Sequence, residues 1–256
     1  MSQPYLSLEA EFHDAFWEED DDGSEIFLMG DFLEKHPGPA VEMGCGSGRL
    51  LFPLVMEGFE IEGVELSADM LRLCQEKAEE MEVPVTTHFG DMGSWDPQRK
   101  FSAVLAPAFT LQLAADPLPV LRHWHSLLEK GGGLYLTLFI PFAELEGELK
   151  EGEWYPDHEG KLEDGREIRL DTRHRIDPAA QVLERDHRYF FAANPGNFHE
   201  SRQRLRWFTH EQMQRLLEDA GFEVREAFTD FDPDSPAAGA GPQDFDGILT
   251  YQAVAR

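Results

Sequence analysis

The residues with the clearest chemical potential lie between Val41 and Arg49, where an acidic residue, Glu42, precedes a Gly-x-Gly-x-Gly turn. An apolar run follows, so the pattern predicts a buried strand, a tight turn and the start of a helix. The three glycines leave the backbone bare, so a ligand can lie directly on it beside the unpaired N–H groups of the helix start. The Glu42 carboxylate would repel a pyrophosphate and attract a ligand that carries an ammonium group.

The spacing of this turn differs from the fingerprint of nicotinamide and flavin sites, which is Gly-x-Gly-x-x-Gly. The third glycine of that fingerprint would fall at position 49, which is Arg49. The spacing therefore disfavours a nicotinamide-dependent oxidoreductase. A glycine triplet alone is not specific, so the surrounding residues must decide between ligands.

Two later segments place acidic residues next to the ends of predicted strands. Residues 60–65 form a second predicted strand that ends in Glu65. A carboxylate there can accept hydrogen bonds from both hydroxyls of a ribose. A strand-tip carboxylate is seldom structural, so we expect Glu65→Ala to leave the fold intact. A third predicted strand, residues 83–89, precedes Asp91, which can accept from an exocyclic amine such as that of adenine while apolar neighbours sandwich the ring.

Strands and helices alternate through the rest of this region. Residues 101–106 form a fourth predicted strand, and Asp116 caps a helix that has Pro117 at its first position. That helix ends at a run of glycines, and residues 134–140 form a fifth strand. Alternation of this kind predicts a parallel sheet that is covered by helices on both faces.

On these residues the chain resembles the class I S-adenosylmethionine-dependent methyltransferases. The resemblance is close over residues 38–141 and looser over residues 207–256. It is carried by the segments 42–48, 65–71, 90–92, 128–132, 206–209 and 216–222. Within the class, the chain looks most like the bacterial small-molecule branch, which includes glycine, sarcosine and aminosugar N-methyltransferases.

The resemblance implies an α/β fold and a domain organisation. We expect a Rossmann-like, doubly wound, seven-stranded and mostly parallel sheet with helices on both faces, plus an inserted antiparallel β lid after the fifth strand. Four segments follow from this fold. They are an N-terminal helical cap (1–37), the cofactor-binding core (38–141), the inserted lid and substrate region (142–208), and a C-terminal helix with the last two strands (209–256).

The resemblance also implies a cofactor site for S-adenosylmethionine and its product S-adenosylhomocysteine. Glu42 and the glycine turn would hold the methionine moiety, Glu65 the ribose, and Asp91 the adenine. The backbone at the tip of the fourth strand would meet the amino group of the cofactor. The expected cofactor-binding residues are Glu42, Gly44, Cys45, Gly46, Gly48, Arg49, Glu65, Leu66, Met70, Gly90, Asp91, Met92 and Ala106.

The expected activity is transfer of a methyl group by direct displacement to nitrogen or oxygen of a small molecule, which could bear a carboxylate. Positioning and exclusion of water supply most of the rate in such a reaction, which explains why no catalytic dyad stands out. Two alternatives stay open. One is transfer of another group from the same cofactor, and the other is a non-catalytic or regulatory cofactor-binding protein.

The inserted segment concentrates the positive charge of the chain. Residues 166–206 hold nine arginines against six acidic residues, and their alternation predicts antiparallel strands. Some arginines would bind an anionic acceptor, or most would form a cross-strand ladder with Asp171, Glu184 and Asp186 on a solvated face. The aromatic-rich segment 11–17 precedes the glycine turn in the chain. It could close over the cofactor, or it could be a surface helix that buries its phenylalanines. Candidate substrate residues are His13, Trp17, Phe109, Arg204 and Arg206.

Composition limits the partners. The 256 residues carry a formal net charge of −28, and such a surface repels nucleic acid and anionic membranes. The chain has no apolar run long enough to cross a bilayer and no signal-peptide pattern at its start. Two cysteines give no disulfide framework, so we expect a cytoplasmic protein. The acidic run at residues 18–22 is interpreted as a solvated loop, and no metal site is expected.

Overall fold

The structure is a computed structural model in which residues 5–17, 23–240 and 243–256 are described. In chain order, the elements are α1 (Leu8–Trp17), α2 (Ser24–Lys35), β1 (Ala40–Met43), α3 (Leu51–Met56), β2 (Ile61–Glu65), α4 (Ala68–Met81), β3 (Thr86–Phe89), β4 (Phe101–Ala106), α5 (Pro117–Leu127), β5 (Leu128–Phe139), α6 (Phe142–Leu145), β6 (Tyr155–Lys161), β7 (Glu167–Asp177), β8 (Val182–Phe191), β9 (Phe198–Arg206), α7 (His210–Asp219), β10 (Phe222–Thr229), β11 (Asp232–Pro236) and β12 (Ile248–Ala255). A short 3-10 helix (Thr110–Leu113) also lies between β4 and α5.

The central sheet has the strand order β11-β10-β12-β5-β4-β1-β2-β3. Strands β1 to β5 are mutually parallel where they pair, and β10, β11 and β12 join antiparallel. This confirms the predicted mostly parallel Rossmann-like sheet, although it has eight strands where seven were expected. The additional strand is β11, whose sequence Asp-Pro-Asp-Ser-Pro has no apolar alternation and two prolines. Prolines are tolerated there because β11 is an edge strand.

Alternation along the inner strands divides the core between two faces. Val41 and Met43 of β1 pack with α5 and α7, whereas Ala40 packs with α2 and α3. The same division holds in β4, where Val104 and Leu105 point to opposite clusters. Helices therefore cover both faces, as the strand–helix alternation predicts.

A second, antiparallel sheet lies between β5 and α7 in the chain, with the order β6-β7-β8-β9. On its inner face, Ile168, Leu170 and Tyr189 pack against Phe12 and Phe16 of α1. The predicted alternation of β7 is confirmed, since Ile168, Leu170, Thr172 and His174 are buried while Arg169 and Arg175 are exposed. Strand β6 was not predicted, because its sequence Tyr-Pro-Asp-His-Glu-Gly-Lys is mostly polar and exposed.

Gln112 joins the two sheets. Its side chain is fully buried, and its Nε2 donates to the carbonyl oxygens of Phe139 (3.0 Å) and Arg206 (2.9 Å). Its Oε1 accepts from the Phe139 N–H at 2.8 Å. One amide thus fixes the end of β5 and the end of β9 to the 3-10 helix.

Substituting Gln112 by leucine should lower the free energy of unfolding by about 3 kcal/mol, because two carbonyls and one N–H are left buried without partners. Urea unfolding measures the loss. The matched control is Gln75→Leu on the exposed face of α4, which should change stability by less than about 0.5 kcal/mol. Equal stabilities for the two variants would contradict the role assigned to Gln112.

Candidate active site

Two cavities meet at the carboxyl ends of the parallel strands. The first has a volume of about 410 Å³ and is formed by the segments that follow β1, β2, β3 and β4. The second has a volume of about 580 Å³ and lies between α1, the end of β5 and the inner face of the antiparallel sheet. The residues that line both cavities form their junction and are Tyr5, His13, Arg49, Ala108 and Leu113.

The glycine turn forms the floor of the first cavity because side chains do not fit there. Gly44 (φ 76°) has Thr110 so close that a Cβ atom would lie 2.8 Å from its side chain. Gly46 (φ 55°) faces Met70, whose terminal carbon would lie 3.1 Å from an added Cβ atom. The turn therefore presents bare backbone to a ligand, as the sequence predicts.

Glu42 is the electrostatic centre of the first cavity. Its side chain is 2% exposed, and among the described residues its Oε2 has no hydrogen-bond partner. Burial raises the pKa of Glu42 to about 8, and the nearby Glu25 adds to the rise while Arg49 opposes it. A buried carboxyl with an open acceptor atom fits a ligand that brings a positive charge, since the pair would compensate both desolvation and the missing hydrogen bond.

Glu65 has a structural task as well as a place in the cavity wall. Its Oε2 accepts from the Gly46 N–H at 3.0 Å, and its Oε1 accepts from the Ser67 N–H at 2.6 Å. Burial raises the pKa of Glu65, and these backbone hydrogen bonds oppose the rise. The carboxylate thus ties the glycine turn to the start of α4, where Ser67 is the N-cap. Each oxygen keeps one further lone-pair direction for a ligand hydroxyl.

The far end of the first cavity is more open and more apolar. Asp91 is exposed, and its Oδ1 accepts from the Gly93 N–H at 2.8 Å. Met92, Leu66 and Val120 line the cavity around it. This arrangement suits a flat ring with an exocyclic amine at its edge.

The structure brings together eleven of the thirteen residues predicted for the cofactor. The two that do not line the cavity are Gly48 and Ala106. Gly48 (φ 87°) instead packs against Phe52 and Cys74 in the turn.

Ala106 is the last residue of β4. It is fully buried because it packs in the core cluster that includes residues of α5. The chain reaches the cavity two residues later, at Ala108. Ala108 (φ 49°) and Phe109 (φ 63°) are both left-handed, an uncommon conformation that is often found at functional sites. The Ala108 N–H faces Glu25, whose Oε1 lies 3.4 Å away.

The predicted substrate residues divide into two groups. His13, Trp17 and Phe109 line the second cavity, whereas Arg204 and Arg206 line neither cavity. Arg204 lies 3.9 Å from Glu184 on the outer face of the sheet, and Arg206 donates to the Ala115 carbonyl at 3.1 Å. The cross-strand ladder of arginines is therefore confirmed for Glu184 and Asp186 on the outer face, where it consists of Arg173, Arg175, Arg202 and Arg204. Asp171, the third acid expected in the ladder, forms no ion pair with the described residues.

Arg185 is the inserted arginine that lines the second cavity. Its Nη2 lies 2.5 Å from Oε1 of the buried Glu144, so its charge is largely compensated within the protein. Arg185 shares the inner face of β8 with His187, which also lines this cavity. The sequence alone does not distinguish Arg185 from the outer arginines, because the insert carries arginines at odd-numbered and at even-numbered positions.

Helix α1 is held over the first cavity by polar contacts. Asp14 accepts from Ser47 Oγ in the glycine turn (2.5 Å), from Lys77 Nζ on α4 (2.8 Å) and from the neighbouring His13 ring (3.0 Å). Burial raises the pKa of Asp14, but the contacts with His13 and Lys77 outweigh it and hold the pKa well below its ordinary value. The N-terminal aromatic segment therefore contacts both the cofactor turn and the antiparallel sheet.

Several cavity residues escape sequence reasoning. Tyr5 contacts both cavities, and its N–H donates to Glu9 at 2.7 Å. Glu25 and Asp157 line the second cavity from elements that are distant in sequence. Among the cavity residues that were not predicted, only His187 could have been found from the sequence, because it lies in a predicted strand of the insert.

In the part of the chain that the structure describes, no three His, Cys, Asp or Glu side chains are grouped so that they could hold a metal ion. The acidic run at residues 18–22 lies outside the described residues. None of the described helices combines the length and the apolar character needed to cross a membrane.

Comparisons with known proteins agree with this geometry. Residues 40–132 match a family model described as a methyltransferase domain. A protein of Geobacillus sp. (strain WCH70) with a provisional methyltransferase name is 25% identical over 201 residues, which are 77% of this chain and 78% of that protein.

Solved structures share the fold over nearly the whole chain. An S-adenosylmethionine-dependent methyltransferase from Clostridium acetobutylicum ATCC 824 has a TM-score of 0.75 at 13% identity, covering 96% of this chain and 97% of that one. The sugar N-methyltransferase KedS8 from Streptoalloteichus sp ATCC 53650 has a TM-score of 0.68 at 24% identity, covering 94% of this chain and 92% of that one.

The sheet order, the Glu-x-Gly-x-Gly-x-Gly turn and the matched domain define the class I methyltransferase fold. Residues 40–132 are a methyltransferase domain, and the chain has the fold of S-adenosylmethionine-dependent methyltransferases. The open acceptor atom of the buried Glu42 fits the positively charged methionine end of this cofactor.

Proposed function

We propose that the enzyme methylates the nitrogen of a small, polyhydroxylated amine, such as an aminosugar, bound in the second cavity. S-adenosylmethionine, when bound, supplies an electrophilic methyl group on a positively charged sulfur. In this proposal the predicted cofactor residues that line the first cavity hold the donor. The junction around Tyr5, His13 and Arg49 is where the acceptor nitrogen would face it.

The observation that carries the proposal is the chemistry of the second cavity. Carboxylates of Glu9, Glu25 and Asp157 line it together with the rings of Trp17 and Phe109. Carboxylates accept hydrogen bonds from hydroxyls and attract amines, and aromatic faces suit both cations and sugar rings.

The same lining argues against an acceptor that bears a carboxylate. Arg185 is compensated by Glu144, and Arg49 lies close enough to Glu42 to lower its pKa. The acidic groups therefore dominate the cavity, and an anionic acceptor would be repelled. The sugar N-methyltransferase among the similar structures supports a nitrogen acceptor of this kind.

An acceptor screen tests this proposal. The purified enzyme is incubated with S-adenosylmethionine and with glucosamine, glucose or glycine, and S-adenosylhomocysteine release is measured. We expect turnover with glucosamine and an N-methylated product by mass spectrometry, and turnover with glucose or glycine that is lower by about 100-fold or more. Methylation of glucose or glycine in preference to glucosamine would overturn the proposal.

Calorimetric titration separates this proposal from a nicotinamide-dependent oxidoreductase, and product analysis separates it from the two alternatives that use the same cofactor. S-adenosylmethionine should bind with micromolar affinity and NAD should not bind, because Arg49 stands where a dinucleotide site needs glycine. Product analysis distinguishes methyl transfer from transfer of another group of the same cofactor. Binding without any product in the acceptor screen would favour a regulatory role.

A further inference from the structure

Three polar side chains lie side by side across the inner face of the antiparallel sheet. Thr172 of β7 and His187 of β8 are register partners, and Thr172 Oγ1 lies 2.9 Å from His187 Nδ1. On the other side, the same hydroxyl donates to Asp157 Oδ2 at 2.6 Å. Asp157 is at a register shift between Pro156 and His158, and such a bulge re-aims a side chain.

The hydrogen bonds in this row determine which nitrogen of His187 carries the proton. A carboxylate only accepts, so the single hydroxyl proton of Thr172 goes to Asp157. Thr172 must then accept from His187, which places a proton on Nδ1. The Nε2 atom of the neutral ring is left with a lone pair. It is buried and makes no hydrogen bond that satisfies the distance and angle requirements with a described residue, although the Gln203 side chain lies close enough to the ring to raise its pKa.

The surroundings keep the His187 ring neutral. Burial lowers the pKa of His187 to about 4, and Arg185 lowers it further, whereas Asp157, Gln203 and Asp186 act in the opposite direction. A ring with this pKa is a poor acceptor for a proton from an alkylammonium product, because the equilibrium constant for the transfer would be unfavourable by roughly 10⁴-fold or more. Its lone pair is instead suited to accept a hydrogen bond.

We propose that His187 is a specificity-determining residue whose Nε2 accepts a hydrogen bond from an N–H or O–H group of the acceptor. Thr172 and Asp157 act as positioning residues, since they hold the ring in the Nδ1–H tautomer that leaves Nε2 free. His187 lines the second cavity and not the first, so its task concerns the acceptor and not the methyl donor. The inference rests on the proposed function, because it needs an acceptor with donor groups in that cavity.

Nitrogen-15 NMR of histidine-labelled enzyme tests the tautomer without any need for turnover. In the wild type with S-adenosylhomocysteine, we expect the His187 resonances of a neutral Nδ1–H ring. Thr172→Val keeps the shape but removes the hydroxyl, so the tautomer should shift toward Nε2–H, and Thr172→Ser should restore the wild-type pattern. An Nε2–H tautomer in the wild type, or an unchanged pattern in Thr172→Val, would overturn the inference.

Steady-state kinetics with glucosamine test the contact itself. His187→Phe should raise KM by about 10-fold to 100-fold, while His187→Gln, whose amide oxygen can replace the Nε2 acceptor, should recover most of the loss. The Kd for S-adenosylmethionine should stay at the wild-type value in both variants. Equal impairment in the two variants, or a parallel loss of cofactor binding, would indicate a merely structural histidine and overturn the proposal.

The two proposals fail in distinguishable ways. If the wild-type enzyme does not methylate glucosamine or any other amine, the proposed function is wrong, whatever the tautomer. If it methylates glucosamine but the NMR and kinetic results contradict the assigned tautomer, the role of His187 alone is wrong.

Discussion

Replacing Glu42 by glutamine is expected to abolish measurable binding of S-adenosylmethionine and, at the same time, to make the ligand-free enzyme more stable above pH 7. The first effect follows because the buried Oε2 is the open acceptor for the positively charged end of the cofactor. The second follows because an ionised Glu42 is buried near Glu25 and Glu65, both of which raise its pKa.

The sign of the pH dependence follows from the direction of the shift. The folded-state pKa of Glu42 is about 8, above the ordinary 4.5, so the folded protein binds more protons than the unfolded chain between these values. Stability therefore falls as pH rises through this window, by roughly 3 kcal/mol between pH 5.5 and 8. Glu42→Gln removes this loss, and urea unfolding at the two pH values measures it.

Cofactor binding should be coupled to the same proton. Near pH 7, binding of the cationic ligand requires Glu42 to ionise, so about one proton should be released and affinity should increase toward pH 8. Calorimetry in two buffers with different ionisation enthalpies measures this release. The control is Glu62→Gln in β2, which removes a 2.8 Å ion pair with Arg99 and should lower stability while leaving cofactor binding unchanged. A Glu42→Gln variant that binds with wild-type affinity would contradict the assignment.

The cofactor cavity is the part of the site that sequence predicts best, because its determinants are local. Gly44 and Gly46 adopt left-handed conformations that glycine alone adopts without strain, and Glu42 precedes them directly. Parallel strands then bring their carboxyl ends to one edge, so Glu65 and Asp91 arrive in the same cavity although they are distant in sequence. The alternation of strands and helices in the sequence is therefore enough to predict that these carboxylates meet at one edge of the sheet.

The acceptor cavity was harder to predict because it forms between elements that are distant in the chain. The outer arginines share an alternating pattern with Arg185, whose guanidinium reaches the cavity and the buried Glu144 of α6. Strand β6 carries little apolar signal, yet its bulge brings Asp157 next to Thr172. No local pattern encodes these contacts.

Two expectations at strand ends show where local reasoning stops. The tip of β4 was expected to present Ala106, but the strand stays buried to its last residue and the turn at Ala108 reaches the cavity instead. Glu65 was expected to be dispensable for folding. Its two hydrogen bonds to the Gly46 and Ser67 N–H groups give it a structural part, so Glu65→Ala does not isolate a ligand contact.

Gly46→Arg is therefore the sharper test of the cofactor cavity, and it should weaken S-adenosylmethionine binding by more than about 100-fold. Gly46 lines the cavity at φ 55°, and an added Cβ atom would lie 3.1 Å from Met70, so a longer side chain must extend into the space meant for the ligand. The guanidinium would also compete for the Glu42 carboxylate. Calorimetry measures the loss.

The matched control is Gly58→Arg, at the turn after α3. Gly58 is also left-handed (φ 94°), but an added Cβ atom there has nothing within 4 Å. Both substitutions force an L side chain into a left-handed conformation and should lower the free energy of unfolding by about 1 kcal/mol. Because backbone strain is common to both variants, loss of binding in Gly46→Arg alone assigns the effect to the cavity, whereas equal binding in the two variants would remove the glycine turn from the cofactor site.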